Sequence, residues 1–130
     1  MTSSLQASDA AAATVAIAPR VKLSDIEEAI AARFDLSPKH VFTALGAWST
    51  GDGRDGSPPT RKVVESLKCF SICLLVMKNG FTIIGKSAPA APENFNAELG
   101  RKLAYEDAVR QIWPLMGFAL RDRLAAGASS

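Results

Sequence analysis

Four polar residues in the C-terminal half of the chain are the ones whose types and spacing could bind a ligand. Lys86 and Ser87 end an apolar run, Asn94 follows at the expected start of a helix, and Arg101 comes two helical turns later. Free backbone N–H groups at a helix start favour anions, and a cation and a hydroxyl nearby add to that preference. These residues form a candidate pocket for a small anionic ligand, such as a metabolite or nucleotide. The sequence favours the simpler interpretation, a solvated strand end in which Asn94 only caps the helix.

The sequence contains no set of residues that points to catalysis. His40 is the only histidine, and no nucleophile or paired carboxylate accompanies it along the chain. Cys69 and Cys73 would share one face of a strand but lie too far apart for a disulfide. One histidine also makes a zinc site unexpected. We predict free thiols, no metal, no cofactor, and a protein that acts by binding and is not an enzyme.

Two tryptophans are candidate contacts for a protein partner, because aromatic side chains are enriched at binding hot spots. Trp48 stands beside a segment rich in glycine and proline. Trp113 falls on the apolar stripe of a predicted helix, so core packing is the alternative for it. For Trp48 the sequence favours neither interpretation.

Composition limits the class of protein. The chain has 130 residues, of which 48% are apolar and 22% charged, which is typical of one globular domain. The net charge of +2, with acids and bases interspersed, predicts no nucleic-acid partner. No apolar run is long enough to cross a bilayer, and residues 1–19 lack the basic start of an export signal. We therefore expect a protein of the cytoplasm with no membrane partner.

The elements that would position these residues centre on a β-hairpin over residues 69–88. Asn79-Gly80 predicts a two-residue type I′ turn, which places Val76 opposite Ile83. In that register one face carries Ile72, Leu74, Val76, Phe81 and Ile83, and the other carries Cys73, Leu75, Met77 and Ile84. Because both faces are apolar, both need cover. We expect a C-terminal helix on one face, the first helix or a second copy on the other, and a third strand or a homodimer.

Helices are predicted on both sides of the hairpin. Ser24, with Glu27 three residues later, predicts a capped helix over about 25–34. A long helix is predicted from Pro92 to about residue 125, kinked or broken at Pro114. Gly100 and Gly117 within it indicate close approach of another backbone. Segment 36–48 suits a short helix or a strand, and segment 62–68 suits a helix or the start of the main strand.

Together these patterns predict an α+β fold: an N-terminal helix, a small antiparallel sheet with an Asn-Gly hairpin, and long kinked C-terminal helices packed on one sheet face. We expect a single domain over residues 21–126. Residues 1–20 are predicted to be a disordered tail, and residues 127–130 a short tail. Segment 49–60, rich in Gly, Ser and Pro, is predicted to be a flexible insertion.

A series of short motifs in the C-terminal half has a recognisable order. They are Lys78-Asn79-Gly80-Phe81, Gly85-Lys86-Ser87, Pro92-Glu93-Asn94-Phe95, Glu98-Leu99-Gly100-Arg101-Lys102, Ala104, Ala108, Ile112-Trp113-Pro114-Leu115, Gly117 and Leu120. Over about residues 70–124 this order resembles a family of small tailed-phage and prophage proteins, the gene-product-forty-nine/gene-sixty-six family. The resemblance implies a phage or prophage origin and no established reaction, and it says little about the first 60 residues.

We therefore expect a phage or prophage accessory protein that binds a host protein in the bacterial cytoplasm. The alternatives are a small-molecule binder that captures an anionic metabolite or nucleotide, and a structural or assembly protein.

Overall fold

The computed structural model describes residues 3–38, 40 and 61–128. In chain order the elements are α1 (Ser4–Val15), α2 (Leu23–Ala29), β1 (Ile30–Leu36), α3 (Arg61–Leu67), β2 (Ser71–Met77), β3 (Thr82–Ser87), a 3-10 turn at Pro92–Asn94, and α4 (Ala97–Ala128). The three strands form an antiparallel sheet in the order β1-β2-β3, and α4 packs on one face of it. The architecture is α+β, as predicted. Most of segment 36–48 and all of segment 49–60 lie outside the described residues.

The hairpin turn differs from the predicted type. The backbone N–H of Met77 donates to the Phe81 carbonyl at 2.8 Å, so the loop contains three residues, Lys78 to Gly80. Gly80 has φ of +88°, whereas Asn79 does not adopt a positive φ. The Asn79 side chain instead accepts a hydrogen bond from the Phe81 backbone N–H at 3.0 Å. The type I′ prediction is therefore wrong, because the asparagine closes the turn through its side chain and only glycine is left-handed.

The longer loop shifts the register of the hairpin by one residue. Leu75 pairs with Ile83 and Leu74 with Ile84, not Val76 with Ile83. A shift of one residue moves the side chains of one strand to the opposite face relative to its neighbour. The inner face, which packs against α4, therefore consists of Cys73, Leu75, Met77 and Ile83, all buried. The outer face consists of Phe34, Ile72, Leu74, Val76 and Ile84.

The third strand, β1, lies where the sequence predicted the end of a helix. The predicted helix over 25–34 ends at Ala29, and its N-cap is Lys22, not Ser24. The Asp25 carboxylate accepts the Lys22 backbone N–H at 2.8 Å. From Ile30 onward the backbone pairs with β2, so sheet hydrogen bonds replace helical ones. The expectation of a third strand is confirmed.

The prediction of a disordered tail over residues 1–20 is wrong for Ser4–Val15, which forms α1. Ser3 and Gln6 make a reciprocal capping box at the start of this helix. The alanine-rich sequence that suggested disorder also has the highest helix propensity. Leu5 is buried in the core, so α1 packs against the domain through an apolar contact as well.

Asp9 on α1 anchors the chain that follows this helix. Its carboxylate accepts hydrogen bonds from the Arg20 guanidinium at 2.8 Å and from the Leu23 backbone N–H at 3.1 Å. The hydrogen bond from Arg20, followed by that from Leu23, lowers the pKa of Asp9. These contacts hold the start of α2 against α1.

The C-terminal helical region is one element and not the predicted pair. Helix α4 continues from Ala97 to Ala128 with Pro114 inside it. A proline there removes one hydrogen bond, at a cost of about 3 kcal/mol. Buried Ile112 and half-buried Trp113 and Met116 pack against the core on both sides of the proline, which offsets that cost. The helical alternative for segment 62–68 is confirmed by α3.

Glycines bring α4 close to the sheet at two places. A Cβ atom on Gly85 would collide with the Ala104 carbonyl and lie 2.6 Å from the Ala108 nitrogen, both helix backbone atoms. A Cβ on Gly100 would collide with the Ser71 hydroxyl, so β2 lies close to Gly100 through a side chain and not through the backbone contact that was predicted. Gly117 has no atom within 4 Å of its would-be Cβ, so the same prediction is wrong there. The inner face and α4 therefore meet at backbone distance around Gly85.

Candidate functional site

The four residues predicted to bind an anion lie on more than one surface. Ser87 and Asn94 line a small cleft of about 110 Å³ beside the start of α4. Lys86 does not line it, because it pairs with Ile72 and so belongs to the outer side of the sheet. The Lys86 backbone N–H donates to the Asp107 carboxylate at 3.0 Å. The structure therefore keeps Ser87 and Asn94 together and separates Lys86 from them.

Arg101, the fourth predicted residue, lines a neighbouring cleft of about 380 Å³, which we call the Arg101 cleft. Its lining consists of Ser37, Pro38, Lys68, Ser71, Phe95, Ala97 and Arg101. Ser71 and Phe95 also line the smaller cleft, so the two clefts adjoin. Lys68 supplies the second cation that was predicted from Lys86. No sequence signal pointed to Lys68, because only the end of α3 brings it to this edge of the sheet.

His40 contacts Ser37 through the ring nitrogen Nδ1, which lies 2.8 Å from the Ser37 hydroxyl. The same nitrogen accepts the Ser37 backbone N–H at 3.1 Å. This is a local turn contact between exposed residues three apart. In the described residues no carboxylate orients the other ring nitrogen, as a catalytic triad requires.

Trp113 is half-buried between the core and a surface concavity that it lines. Its indole N–H donates to the Val21 carbonyl at 3.1 Å, and its ring packs at the edge of the core. This contact fixes the connection between α1 and α2 against α4. Trp48, the other predicted partner contact, lies outside the described residues.

An apolar concavity of the described surface lies at the tip of the hairpin, and the sequence did not predict it. We call it the hairpin-tip groove; its volume is about 430 Å³. One wall is the turn between β2 and β3, and the other is α4. Its lining consists of Ala29, Met77, Lys78, Asn79, Phe81, Ile83, Ile112, Leu115, Met116, Ala119 and Arg123.

The groove follows from three local features of the chain. The three-residue loop turns Phe81 toward this end of the sheet, and Gly80 permits that loop. The Lys78 backbone N–H donates to the Ala29 carbonyl at 2.8 Å and ties the turn to the end of α2. On α4, the lining residues recur at helical spacing from Ile112 to Arg123. The spacing on α4 was visible in the sequence, but the loop length was not.

The groove has a rigid apolar floor, exposed apolar walls and a basic rim. Met77, Ile83 and Ile112 are core residues that form its floor. Two lining residues are large, apolar and exposed: Phe81 is 54% and Leu115 49% accessible. Lys78 and Arg123 are the charged lining residues, and both are cations. Such a surface can bury apolar side chains and attract carboxylates.

The ionisable residues on the inner side of the sheet make contacts within the fold. Burial raises the pKa of the Cys73 thiol and of the Tyr105 phenol. The Arg33 guanidinium lies 4.1 Å from the centre of the Tyr105 ring and bonds to Asp35. Cys69 and Cys73 are both free, as predicted. Cys73 itself is fully buried.

No group of three or more His, Cys, Asp or Glu residues within residues 3–38, 40 and 61–128 is placed to hold a metal ion. In the same part of the chain, no helix has the length and apolar character needed to cross a membrane.

Comparison with known proteins gives one match. A family model described as the phage protein (N4 Gp49/phage Sf6 gene 66) family matches residues 24–124, which is more than half of the chain. No curated protein and no solved structure matches. The match begins at α2 and includes the sheet, the hairpin-tip groove and nearly all of α4.

Proposed function

Because the chain belongs to this family of phage proteins, we propose that it is a phage accessory protein that works by binding a host protein and not by catalysis. The binding surface in this proposal is the hairpin-tip groove. Membership of a phage family supports action in the cytoplasm of the infected bacterium.

The observation that carries the proposal is the combination of exposed Phe81 and Leu115 around an apolar floor. Binding hot spots are large side chains around a pocket that excludes water, and Phe81 and Leu115 offer that arrangement. Contact between apolar surface and water is unfavourable by about 25 cal/mol of free energy per Å². A groove with these walls is a typical site for a segment of another protein.

The test is affinity capture from a host lysate with wild type and with the double variant Phe81→Ser, Leu115→Ser. Wild type is expected to retain a defined host protein in stoichiometric amount. The double variant is expected to lose it, because truncation of a hot-spot residue costs about 2 kcal/mol or more, roughly 30-fold in affinity.

The matched control is the double variant Ile84→Ser, Phe118→Ser. It removes one aromatic and one aliphatic side chain that are exposed but do not line the groove. Capture is expected to persist with this control. Retention of chaperones alone, or equal loss in both double variants, would contradict the proposal.

The Arg101 cleft supports a second candidate function, the binding of a small anionic ligand. Its lining by residues that the structure describes contains two cations, Lys68 and Arg101, and no acidic residue. Lys68 is partly neutralised by Glu65, whose carboxylate lies 3.4 Å from its ammonium group. Arg101 therefore has the larger role in this proposal.

A thermal-shift experiment with a panel of nucleotides and inorganic phosphate tests this second candidate. A ligand at 100 times its Kd stabilises a protein by about 2.7 kcal/mol, which raises Tm measurably. We expect a shift in wild type that is lost in Arg101→Ala and kept in Lys102→Ala. Lys102 is the control because it is a neighbouring exposed cation that does not line the cleft. No shift with any ligand in wild type would exclude this candidate for the ligands in the panel.

A further inference from the structure

We infer that the occupant of the hairpin-tip groove is an amphipathic helix of another protein that carries carboxylates beside its apolar stripe. The inference rests on the proposed binding function and specifies the chemistry of the partner.

Charge is the first argument. Within the described part of the chain, the groove lining includes the cations Lys78 and Arg123 and no aspartate or glutamate. Neither cation takes part in any of the ion pairs found in the described part of the chain. Among the described residues, each therefore stands beside an apolar surface without a carboxylate partner. Carboxylates on the occupant would complement both cations and would increase the rate of association. A partner with basic residues at these positions would be repelled.

Shape is the second argument. The α4 wall runs from Ile112 to Arg123, which at 1.5 Å per residue is about 16 Å, or three helical turns. A helix whose apolar positions i, i+3, i+4 and i+7 continue to i+11 has a stripe of this length.

The same charges argue against a second copy of this chain as occupant. In a two-fold dimer the same patch meets itself, so the patch must be self-complementary. Here two copies would bring Lys78 and Arg123 of one near those of the other. Like charges held close together oppose association.

Designed peptides can test the inference without an identified partner. Three fluorescent peptides of about sixteen residues, roughly four helical turns, share one leucine stripe and differ only in carrying Glu, Gln or Lys on the flanks. Fluorescence anisotropy then gives the Kd for each. We expect the Glu peptide to bind at least about 10-fold more tightly than the Lys peptide at low salt, and the ratio to fall as salt is added.

Charge reversal at the groove tests whether Lys78 and Arg123 cause the preference for the Glu peptide. The double variant Lys78→Glu, Arg123→Glu is expected to reverse the preference, so that the Lys peptide binds more tightly. The control Lys102→Glu, Arg121→Glu changes the net charge by the same amount at exposed positions outside the groove lining. It is expected to keep the preference for the Glu peptide.

The outcomes separate this inference from the proposed function. If the three peptides bind wild type equally and binding is lost in the double variant Phe81→Ser, Leu115→Ser, the inference of an acidic partner is overturned. The groove is then still a binding surface. Tighter binding of the Lys peptide to wild type, or no reversal in the charge-reversed variant, also overturns the inference of an acidic partner. If no peptide binds, the helix-binding inference fails, whereas host-protein capture still decides the proposed function.

Discussion

The variant Gly85→Ala is expected to lose about 3 kcal/mol or more of its free energy of unfolding. The added methyl group would collide with the Ala104 carbonyl and lie 2.6 Å from the Ala108 nitrogen. Both atoms belong to the backbone of α4, so no side-chain rotation can relieve the contact, and the helix must move away from the sheet. Overpacking of this kind typically costs 1–3 kcal/mol, and a backbone collision costs at least about the upper value. Urea denaturation followed by circular dichroism measures the loss.

Gly117→Ala is the matched control, because it makes the same chemical change within α4. No atom lies within 4 Å of its would-be Cβ. Alanine in a helix is about 0.8–1.0 kcal/mol more favourable than glycine, so this variant is expected to be more stable than wild type. If Gly85→Ala is as stable as wild type, α4 does not meet the sheet at Gly85. If it does not fold, far-UV circular dichroism without denaturant shows that directly and agrees with the prediction.

Truncation of two adjacent isoleucines is expected to have very different effects. Ile83→Ala should cost about 2–4 kcal/mol, since Ile83 is 6% accessible and packs in the core. Ile84→Ala should cost less than about 1 kcal/mol, since Ile84 is 61% accessible. Because the substitution is identical and the positions adjoin, the difference reports the face on which each side chain lies. Urea denaturation of the two variants gives the comparison.

The comparison also distinguishes the two hairpin loops. A two-residue turn would place Ile84 with Cys73, Leu75 and Met77, and Ile83 with Ile72 and Leu74. Equal costs, or a larger cost for Ile84→Ala, would contradict the three-residue loop and the register that follows from it.

The elements that the sequence identified are those with strong local signals. The apolar run of β2, the Asn79-Gly80 turn and the periodic stripe of α4 predicted the sheet and the helix that covers it. Predictions from the sequence were wrong where two local conformational preferences compete. Residues 30–34 continue a helical stripe, yet they pair with β2, because a strand partner far along the chain decides their conformation. Alanine-rich residues 4–15 read as a tail, although alanine also favours a helix.

The candidate site was harder to predict than the fold, since it depends on loop length and on distant contacts. Ser87, Asn94 and Arg101 were placed near the start of α4, where two adjoining clefts contain them. Lys86 was assigned to the same pocket, but the pleat of β3 turns it to the other side of the sheet. The hairpin-tip groove was missed because one extra loop residue decides where Phe81 and Ile83 lie relative to α4.

Site-specific photocrosslinking from the groove is the most direct test of the claim that this protein works by binding there. Benzoylphenylalanine would replace Phe81 in the groove or, as the control, Phe118, which is 71% accessible and outside the groove lining. We expect one host protein to crosslink from position 81 in infected or expressing cells. This product should be lost when Leu115→Ser is added and should be absent from position 118. Crosslinks to chaperones alone, or the same products from both positions, would contradict it.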